Sequence, residues 1–494
     1  MKIMFIEGPP FINWTGSSKL TTGGRRHPSL CESGETTYSY LNLSAAAVLR
    51  ESGHEVEYIH CQTDGIDLKG VEKNIGKSSP DMVVCDVQHV RIPVEFKIAE
   101  MAKKCGAVSV FVGYFAAAAA EKLLKNCKHL DFVCTKEYDF ILRDLADALE
   151  RKKPISYVKG IKYRKGVIIK ETKPMPLIED LDELPIPAYD LVQLDKFYES
   201  VFLRLPSATA ITARGCPFRC FFCAFPNTLY SHEFRSQSPA RVIEEAKYLS
   251  DEFGIREIRY DDDTFEVNKK RVFEICDKFK EEKLDLIWNT QNRPGLMTPD
   301  LCRRMKEAGC VRMMFGAESG DDDILKKMNK GTTVEEIERG EMYARKAGII
   351  LHNCFMFGFP WDTMETMKKT IGFACKLNAE FTQFSIATPL PGTPFYDMMK
   401  SQGLLIGEDW ERDSFHAASI KTFHLTPDQV NSFFNSIRRK YYFRPAYFWL
   451  TAKQCMKSYD YFKQTLRLVP NLLRHEDFWG GKLKDGMKCQ VYDS

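Results

Sequence analysis

The segment Arg214-Gly215-Cys216-Pro217-Phe218-Arg219-Cys220-Phe221-Phe222-Cys223 constrains this chain more than any other. Three cysteines spaced by three and then two residues can wrap one loop around a face of an iron–sulfur cube, which leaves one iron without a protein ligand. An open iron suits a cluster that must coordinate a small molecule. Gly215 permits positive φ and Pro217 fixes its own, as a sharp turn after a strand requires. The competing reading is a structural zinc site. That would ask for a second Cys-x-x-Cys pair or a pair of histidines, and neither follows at suitable spacing.

The chain has 494 residues and sixteen cysteines. In a long chain with no secretory signal, most of those cysteines are expected to be buried thiols rather than disulfides. Met1–Pro10 is a strand-length apolar run closed by Gly8-Pro9-Pro10, too short for a signal peptide. No window approaches the roughly 18 apolar residues of a membrane span, so a cytoplasmic protein is expected. A formal charge of +3 argues against a large nucleic-acid footprint, and no nucleic-acid partner is expected.

Short strands and amphipathic helices alternate over residues 1–150, which predicts a doubly wound α/β sheet with ligands at the carboxyl ends of its strands. Expected there are strands at Lys2–Ile6, Glu55–His60, Asp81–Cys85, Ser109–Gly113 and Asp131–Cys134. Helices are expected at Tyr40–Ser52, Pro93–Cys105, Ala116–Asn126 and Phe140–Arg151. Residues 151–205 read as a hairpin near Tyr163–Ile169 followed by a proline-rich linker. Six βα-type units run through residues 206–396, enough for a partial or complete parallel barrel. Residues 397–494 read as mainly helical.

Further segments sit where barrel strands should end. Asp261, Asp262 and Asp263 crowd three carboxylates after the second strand; the alternatives are a solvated loop or acceptors for a ligand's ammonium group. Glu318 and Ser319 lie in Phe315-Gly316-Ala317-Glu318-Ser319-Gly320, after the fourth strand. Met356 and Gly358 lie in Phe355-Met356-Phe357-Gly358-Phe359-Pro360, after the fifth. Glycine after a strand is by itself usually a turn.

With the cysteine loop, these segments resemble the radical S-adenosylmethionine (SAM) superfamily, whose hallmark is Cys-x-x-x-Cys-x-x-Cys after the first strand of a partial (β/α)6 barrel. The Asp-Asp-x-Phe-like segment, Gly-Ala-Glu-Ser-Gly, Pro389-Leu390-Pro391-Gly392-Thr393-Pro394 and the linker Leu181–Asp190 resemble its cobalamin-dependent branch, and the resemblance runs from near Met1 to about Tyr396. It implies a [4Fe–4S] cluster on Cys216, Cys220 and Cys223, with the methionine end of SAM on the open iron. It implies further that an aspartate of 261–263 meets the cofactor's ammonium, that Glu318 and Ser319 meet its ribose, and that the Met356–Gly358 backbone packs its adenine.

For the N-terminal domain the resemblance implies cobalamin binding. Phe111-Val112-Gly113-Tyr114 and Thr135-Lys136-Glu137-Tyr138 would receive the nucleotide tail, with Tyr114 standing where many relatives carry a second glycine. No Asp-x-His-x-x-Gly segment occurs in the first 150 residues; Gln88 or His89, in the loop Asp86–Arg91, is the candidate to face cobalt. The alternative is a degenerate domain that has lost its cofactor. The implied activity is anaerobic C-methylation of an unactivated carbon. One SAM methylates the cobalamin and another yields a 5′-deoxyadenosyl radical, with an electron donor of ferredoxin or flavodoxin type. A ring-forming or oxidising enzyme of the anaerobic tetrapyrrole cyclase kind is the alternative. The basic and aromatic stretch Arg438–Pro445 reads as helix packing with a solvated charged face, the other reading being an anionic surface.

Overall fold

The computed structural model describes residues 1–9, 36–88, 91–197, 199, 202–406 and 418–474, with the backbone alone at 20–21, 29–30 and 468–474. His89 lies outside the described residues.

The first sheet is ordered Glu55–His60, Lys2–Glu7, Met82–Asp86, Val108–Val112, Phe132–Cys134. These five strands are parallel. The interior strand Lys2–Glu7 is apolar and buried from Ile3 to Ile6, as a strand covered on both faces must be. Helices Tyr40–Glu51, Leu68–Ser78, Ile92–Lys104, Tyr114–Asn126 and Asp139–Glu150 cover the two faces. This is the doubly wound domain that the alternation predicts. Leu68–Ser78 and the single turn Cys61–Asp64 have no counterpart among the expected helices. The former contains two glycines and buries just Val71 and Ile75; an Asp67 side chain that accepts the Gly70 N–H (2.8 Å) starts it.

The hairpin is Ile161–Lys165 with Ile168–Glu171, turned at Gly166 (φ 64°). It adds two antiparallel strands to the edge at Phe132–Cys134, a pairing its sequence does not announce. The linker then stitches the domains together. The Ala188 N–H donates to Leu43 O (3.1 Å), Arg241 Nη2 donates to Leu184 O (2.8 Å), and the Tyr189 hydroxyl meets Glu245 Oε1 (2.7 Å).

The second sheet is six-stranded and wholly parallel. Its order is sequential: Ser207–Ala210, Glu257–Tyr260, Ile287–Asn292, Cys310–Glu318, Ile350–Phe357, Phe381–Ile386. Each end strand pairs on one side only among the described residues, Ser207–Ala210 with Glu257–Tyr260 and Phe381–Ile386 with Ile350–Phe357, so the sheet is the open (β/α)6 half-barrel. Its helices start where they are capped. Ser238 accepts the Arg241 N–H with Pro239 in the first turn, and Thr333 forms a reciprocal box with Glu336. One apolar core runs from the first sheet into the first four barrel strands, and a second gathers the later strands with helix Pro427–Tyr442. Helices Pro445–Lys457 and Tyr459–Arg474 end the described chain. No helix among the described residues is long and apolar enough to cross a membrane.

Candidate active site

The cysteine loop leaves a two-stranded antiparallel ribbon, Ala213–Arg214 with Arg235–Ser236. Gly215 turns it out at φ 85°, and a Cβ there would sit 2.0 Å from Glu233 O. The loop's own backbone is held at several points. His232 Nδ1 lies 3.1 Å from Cys216 O and 3.0 Å from Phe218 O, Asn227 Nδ2 donates to Cys223 O (2.6 Å), and Asn329 Nδ2 donates to Arg219 O (2.9 Å). Phe221 packs on Trp361 and Phe395, centroids 5.1 and 4.8 Å away, and closes the loop's far side with aromatic surface.

Cys216 and Cys220 are buried and Cys223 is half-buried. Among the described residues, the group of cysteine, histidine and carboxylate ligand atoms that gathers within 4.8 Å is His54, Asp147 and Glu150, not the three loop thiols. Three thiols on one loop suit a cluster in which each cysteine holds its own iron and one iron stays open.

Two cations attend this loop. Arg293, just past the third barrel strand, places Nη1 3.8 Å from Cys220 Sγ and its guanidinium 3.8 Å above the Phe218 ring. Lys330 is buried and ion-paired to Glu318 (2.8 Å). Burial opposes its charge, but Glu318 and Cys220 outweigh burial and hold its pKa above the ordinary value. Cationic neighbours suit a thiolate-bound cluster, whereas burial, reinforced by Asp263, pushes the Cys216 thiol up. Neither cation was singled out in the sequence. Arg293 was findable, since it ends a barrel strand on the catalytic face; Lys330 carries no local signal.

The three aspartates separate. Asp262 is fully buried and braces the start of the cysteine loop, accepting the Thr212 N–H (2.6 Å), the Thr212 hydroxyl (2.6 Å) and the Ala213 N–H (3.0 Å). Asp263 is near enough to Cys216 for its charge to raise that thiol's pKa. Asp261 turns to the cleft, 3.5 Å from Arg259 Nη2. Glu318 adopts φ 62° at a register shift in the fourth strand. The neighbouring Gly316 is bare because a Cβ there would meet Glu318 Oε1 at 2.5 Å and Lys330 Nζ at 2.8 Å. The Ser319 hydroxyl accepts the Asp321 N–H (3.2 Å) and lies 3.2 Å from Thr370 Oγ1, so it fastens the fourth strand's end to helix Met364–Leu377. Met356 is half-buried on the fifth strand, and Gly358 (φ 78°) follows it.

A cleft opens where the two sheets' carboxyl edges face each other. The doubly wound side supplies Glu7, Ser39, Asp86, Gln88, Gly113 and Tyr114; the barrel side supplies Thr209, Ile211, Arg259 and Asp261. Glu7 and Asp86 end the adjacent strands Lys2–Glu7 and Met82–Asp86, where strand order reverses. This is the place at which open α/β sheets bind ligands. Tyr114 packs on Phe225, 5.0 Å between centroids, only two residues beyond Cys223.

The cleft floor is acidic. The Ser39 hydroxyl donates to Asp86 Oδ2 (2.9 Å) and the Ser39 N–H to Glu7 Oε1 (2.9 Å), while the Tyr58 hydroxyl bonds Glu7. Burial, reinforced by Glu7, pushes the Asp86 carboxyl up to about 7. Gly113 stands at φ 101°, where a Cβ would lie 2.2 Å from Asp86 Oδ1, so the edge stays open only with glycine there. Gln88, in the Asp86–Arg91 loop, lines the cleft. Glu137 does not: it pairs with Arg235 (2.5 Å) and accepts the Ile178 N–H (3.1 Å), joining the first domain to the cysteine ribbon.

The three thiols, their attendant cations and the open glycine-edged cleft fit a cluster and a flat ligand facing one another. Comparison with known proteins agrees. The sequence model of the radical SAM superfamily matches residues 210–374. The chain is 32% identical over 413 residues to the uncharacterized methyltransferase PH0819 of Pyrococcus horikoshii, covering 83% of this chain and 89% of that protein. It is 25% identical over 411 residues to the anaerobic magnesium-protoporphyrin IX monomethyl ester cyclase of Cereibacter sphaeroides, covering 81% of this chain and 66% of that one. Its fold is similar to that of OxsB, a cobalamin-dependent SAM radical enzyme solved with aqua-cobalamin and SAM, at a TM-score of 0.70 and 17% identity over 96% of this chain and 72% of OxsB. The chain belongs to the radical SAM superfamily.

Proposed function

We propose that the chain is a cobalamin-dependent radical SAM methyltransferase that places a methyl group on an unactivated carbon. One observation carries this reading: the cysteine loop and the switch-point cleft share a wall, with Tyr114 of the cleft packed against Phe225 of the loop's continuation. When bound, the cluster and SAM supply a deoxyadenosyl radical and the cobalamin supplies a transferable methyl group.

The protein's own part is to hold, orient and shield. Cys216, Cys220 and Cys223 hold three irons, and Arg293 and Lys330 balance their charge. In this reading Asp263, beside Cys216, takes the ammonium of SAM, with Asp261 as the polar neighbour toward the cleft. Asp262 keeps the loop in register. Glu318 and Ser319 set the ribose side, and the backbone at Met356 and Gly358 sets the adenine side. Gln88, Gly113 and Tyr114 receive the corrin, while Glu137 positions the loop through Arg235. Arg259 is a fixed cation at the cleft wall. Burial opposes its charge, yet Glu199 and Asp261 raise its pKa further, so it stays charged while ordering the polar groups around it.

The reading includes a cytoplasmic, oxygen-free setting and a one-electron donor of ferredoxin or flavodoxin type. Substrates compatible with it are a peptide or protein side chain, a polyisoprenoid lipid, a tetrapyrrole or a natural-product intermediate. The likeness to the cyclase over 81% of the chain favours a second reading, ring formation without methyl transfer. Anaerobically reconstituted protein, given cobalamin, reductant, methyl-labelled SAM and cell extract, distinguishes them by mass spectrometry. S-Adenosylhomocysteine, deoxyadenosine and a labelled product together support methyl transfer. Deoxyadenosine alone supports the cyclase reading, and neither by-product from cluster-loaded protein rejects both.

A further inference from the structure

The C-terminal helix Pro445–Lys457 contains no buried residue, although it is rich in aromatic side chains. Its inner side is polar and well tied. The Tyr447 hydroxyl donates to Glu380 O (3.0 Å), Gln454 Nε2 donates to Glu380 Oε1 (2.6 Å), and Arg444 just before it donates to Cys375 O (2.7 Å). The following helix is pinned by Arg204–Asp460 (3.0 Å) and by Arg312 Nη2 to Gln464 Oε1 (3.1 Å). Glu380, Arg204 and Arg312 all lie at or before the starts of barrel strands. The helix pair therefore covers the end of the barrel opposite the cysteine loop.

Its outer side is apolar where an ordinary surface helix is charged. Phe448 is 56% exposed, Trp449 68%, Met456 74% and Tyr459 69%, with Phe462 and Leu466 continuing the stripe. Positions 448, 449, 452 and 456 fall on one helical face, at the spacing that normally marks the side turned to a core. Packing explains Tyr441, Tyr442 and Tyr447, but not these residues. Lys453, Lys457 and Lys463 flank the stripe, the last lying 4.3 Å from the Tyr459 ring centroid. From Pro445 to Arg467 there are three lysines and one arginine against one carboxylate, Asp460, already paired with Arg204.

We propose that this face docks on an anionic lipid bilayer, the two helices lying in the interfacial plane. Tryptophan, tyrosine and methionine between lysines is the composition that inserts its apolar edge below the headgroups while the ammonium groups remain among the phosphates. The lysines along the rim give the face a positive charge that complements the phosphates of an anionic bilayer. The binding adds to the radical chemistry and uses none of its residues.

The test is cosedimentation of the reconstituted holoenzyme with vesicles of phosphatidylcholine alone or with roughly one quarter phosphatidylglycerol. The full-length protein is expected to pellet with the anionic vesicles, to be released by salt, and to stay in solution with the neutral ones. Trp449→Ser/Met456→Ser and Lys453→Glu/Lys457→Glu, all at exposed positions, should each weaken binding at least about tenfold with unchanged circular dichroism and iron content. The proposal is overturned if wild-type protein ignores anionic vesicles or if both double variants bind as it does. It is equally overturned if wild type ignores vesicles but forms a dimer that the variants dissolve, which makes the face a contact between copies. Binding that appears only after the chain is ended at Arg474 would instead assign the face to residues 475–494.

Discussion

Arg214 and Arg235 stand opposite one another in the ribbon that carries the cysteine loop, and each reaches a buried carboxylate on the same turn of the N-terminal domain. Arg214 meets Asp139 in a two-pronged pair (2.7 and 3.1 Å) that the Ser44 hydroxyl completes (2.6 Å). Arg235 meets Glu137 in the same way (2.5 and 2.9 Å). The strand-like ribbon sends alternate residues to one face, so two arginines paired across it can both point at the other domain. The two halves of the active site are thereby registered by paired forks with limited freedom to slide.

Removing one partner leaves the other charge buried. Arg214→Met is expected to cost about 3–5 kcal/mol in urea unfolding, because the Asp139 carboxylate loses its counter-ion. Arg214→Met with Asp139→Leu should recover most of that loss, since an apolar pair of similar volume replaces a desolvated one. If the single and double variants are equally destabilised, the pair is not what holds this interface.

Gly215 links that ribbon to the first cysteine. With φ 85° and the Glu233 carbonyl 2.0 Å from any Cβ, Gly215→Ala must displace the loop or the ribbon. The expected result is reconstituted protein with well under half of the wild-type iron and sulfide. Gly254→Ala, at φ 62° but with open space around it, should cost only about 1–2 kcal/mol and leave the iron content intact. Full cluster loading in Gly215→Ala would contradict this geometry.

Most of this arrangement was legible in the sequence because its signals are local. The cysteine spacing, the glycines after strands and the alternation of strand and helix each lie within a few residues, and helices such as Pro239–Phe253 and Met364–Leu377 fall where their pattern places them. Partnerships across the chain were not legible. Asp262 reads as one of three equivalent aspartates until Thr212, fifty residues earlier, occupies both its oxygens. Glu137 sits after a strand end of the right kind, yet Arg235 draws it out of the cleft. Lys330 gains its meaning only when a bulge in the fourth strand turns Glu318 toward it.

Arg293 places Nη1 3.8 Å from Cys220 Sγ. A positive charge there favours the reduced cluster. Arg293→Gln should lower the midpoint potential by on the order of 100 mV, taking an effective dielectric near 20. Arg293→Lys should lower it less, since it keeps the charge but loses the stacking on Phe218. A redox titration followed by electron paramagnetic resonance reads both, and equal potentials in all three proteins would remove Arg293 from the cluster's electrostatics.

Stability should fall as pH rises through the neutral range, in part because of Glu341. Its carboxyl is buried against the barrel, and burial pushes it up to about 8 despite the attraction of Arg345. The unfolded chain releases this proton near pH 4.5, whereas the folded chain keeps it until about pH 8. The favourable contribution is thus complete below pH 4.5 and lost progressively up to pH 8. Glu341→Gln removes that slope. Relative to wild type it should gain on the order of 3 kcal/mol between pH 5 and pH 9 in chemical unfolding. Parallel stability curves for the two proteins would show that Glu341 ionises normally.

The cleft and the cysteine loop can be uncoupled at Gly113. A methyl group there would lie 2.2 Å from Asp86 Oδ1, at a φ of 101° that an alanine rarely adopts. Gly113→Ala must therefore push the Asp86 carboxyl, or the strand end that bears it, into the space between the sheets. Cobalamin retained through gel filtration should drop at least about tenfold, read from its visible absorbance, because a ring stacked on this edge has no slack to absorb a displaced carboxylate. Iron content should stay near wild type, since the ribbon, Arg214 and Arg235 are untouched. Gly106→Ala, also at positive φ but in open space, should keep both cofactors. Cobalamin bound normally by Gly113→Ala would move the corrin site away from this cleft, and loss of iron together with cobalamin would mean that the two halves fail as one unit.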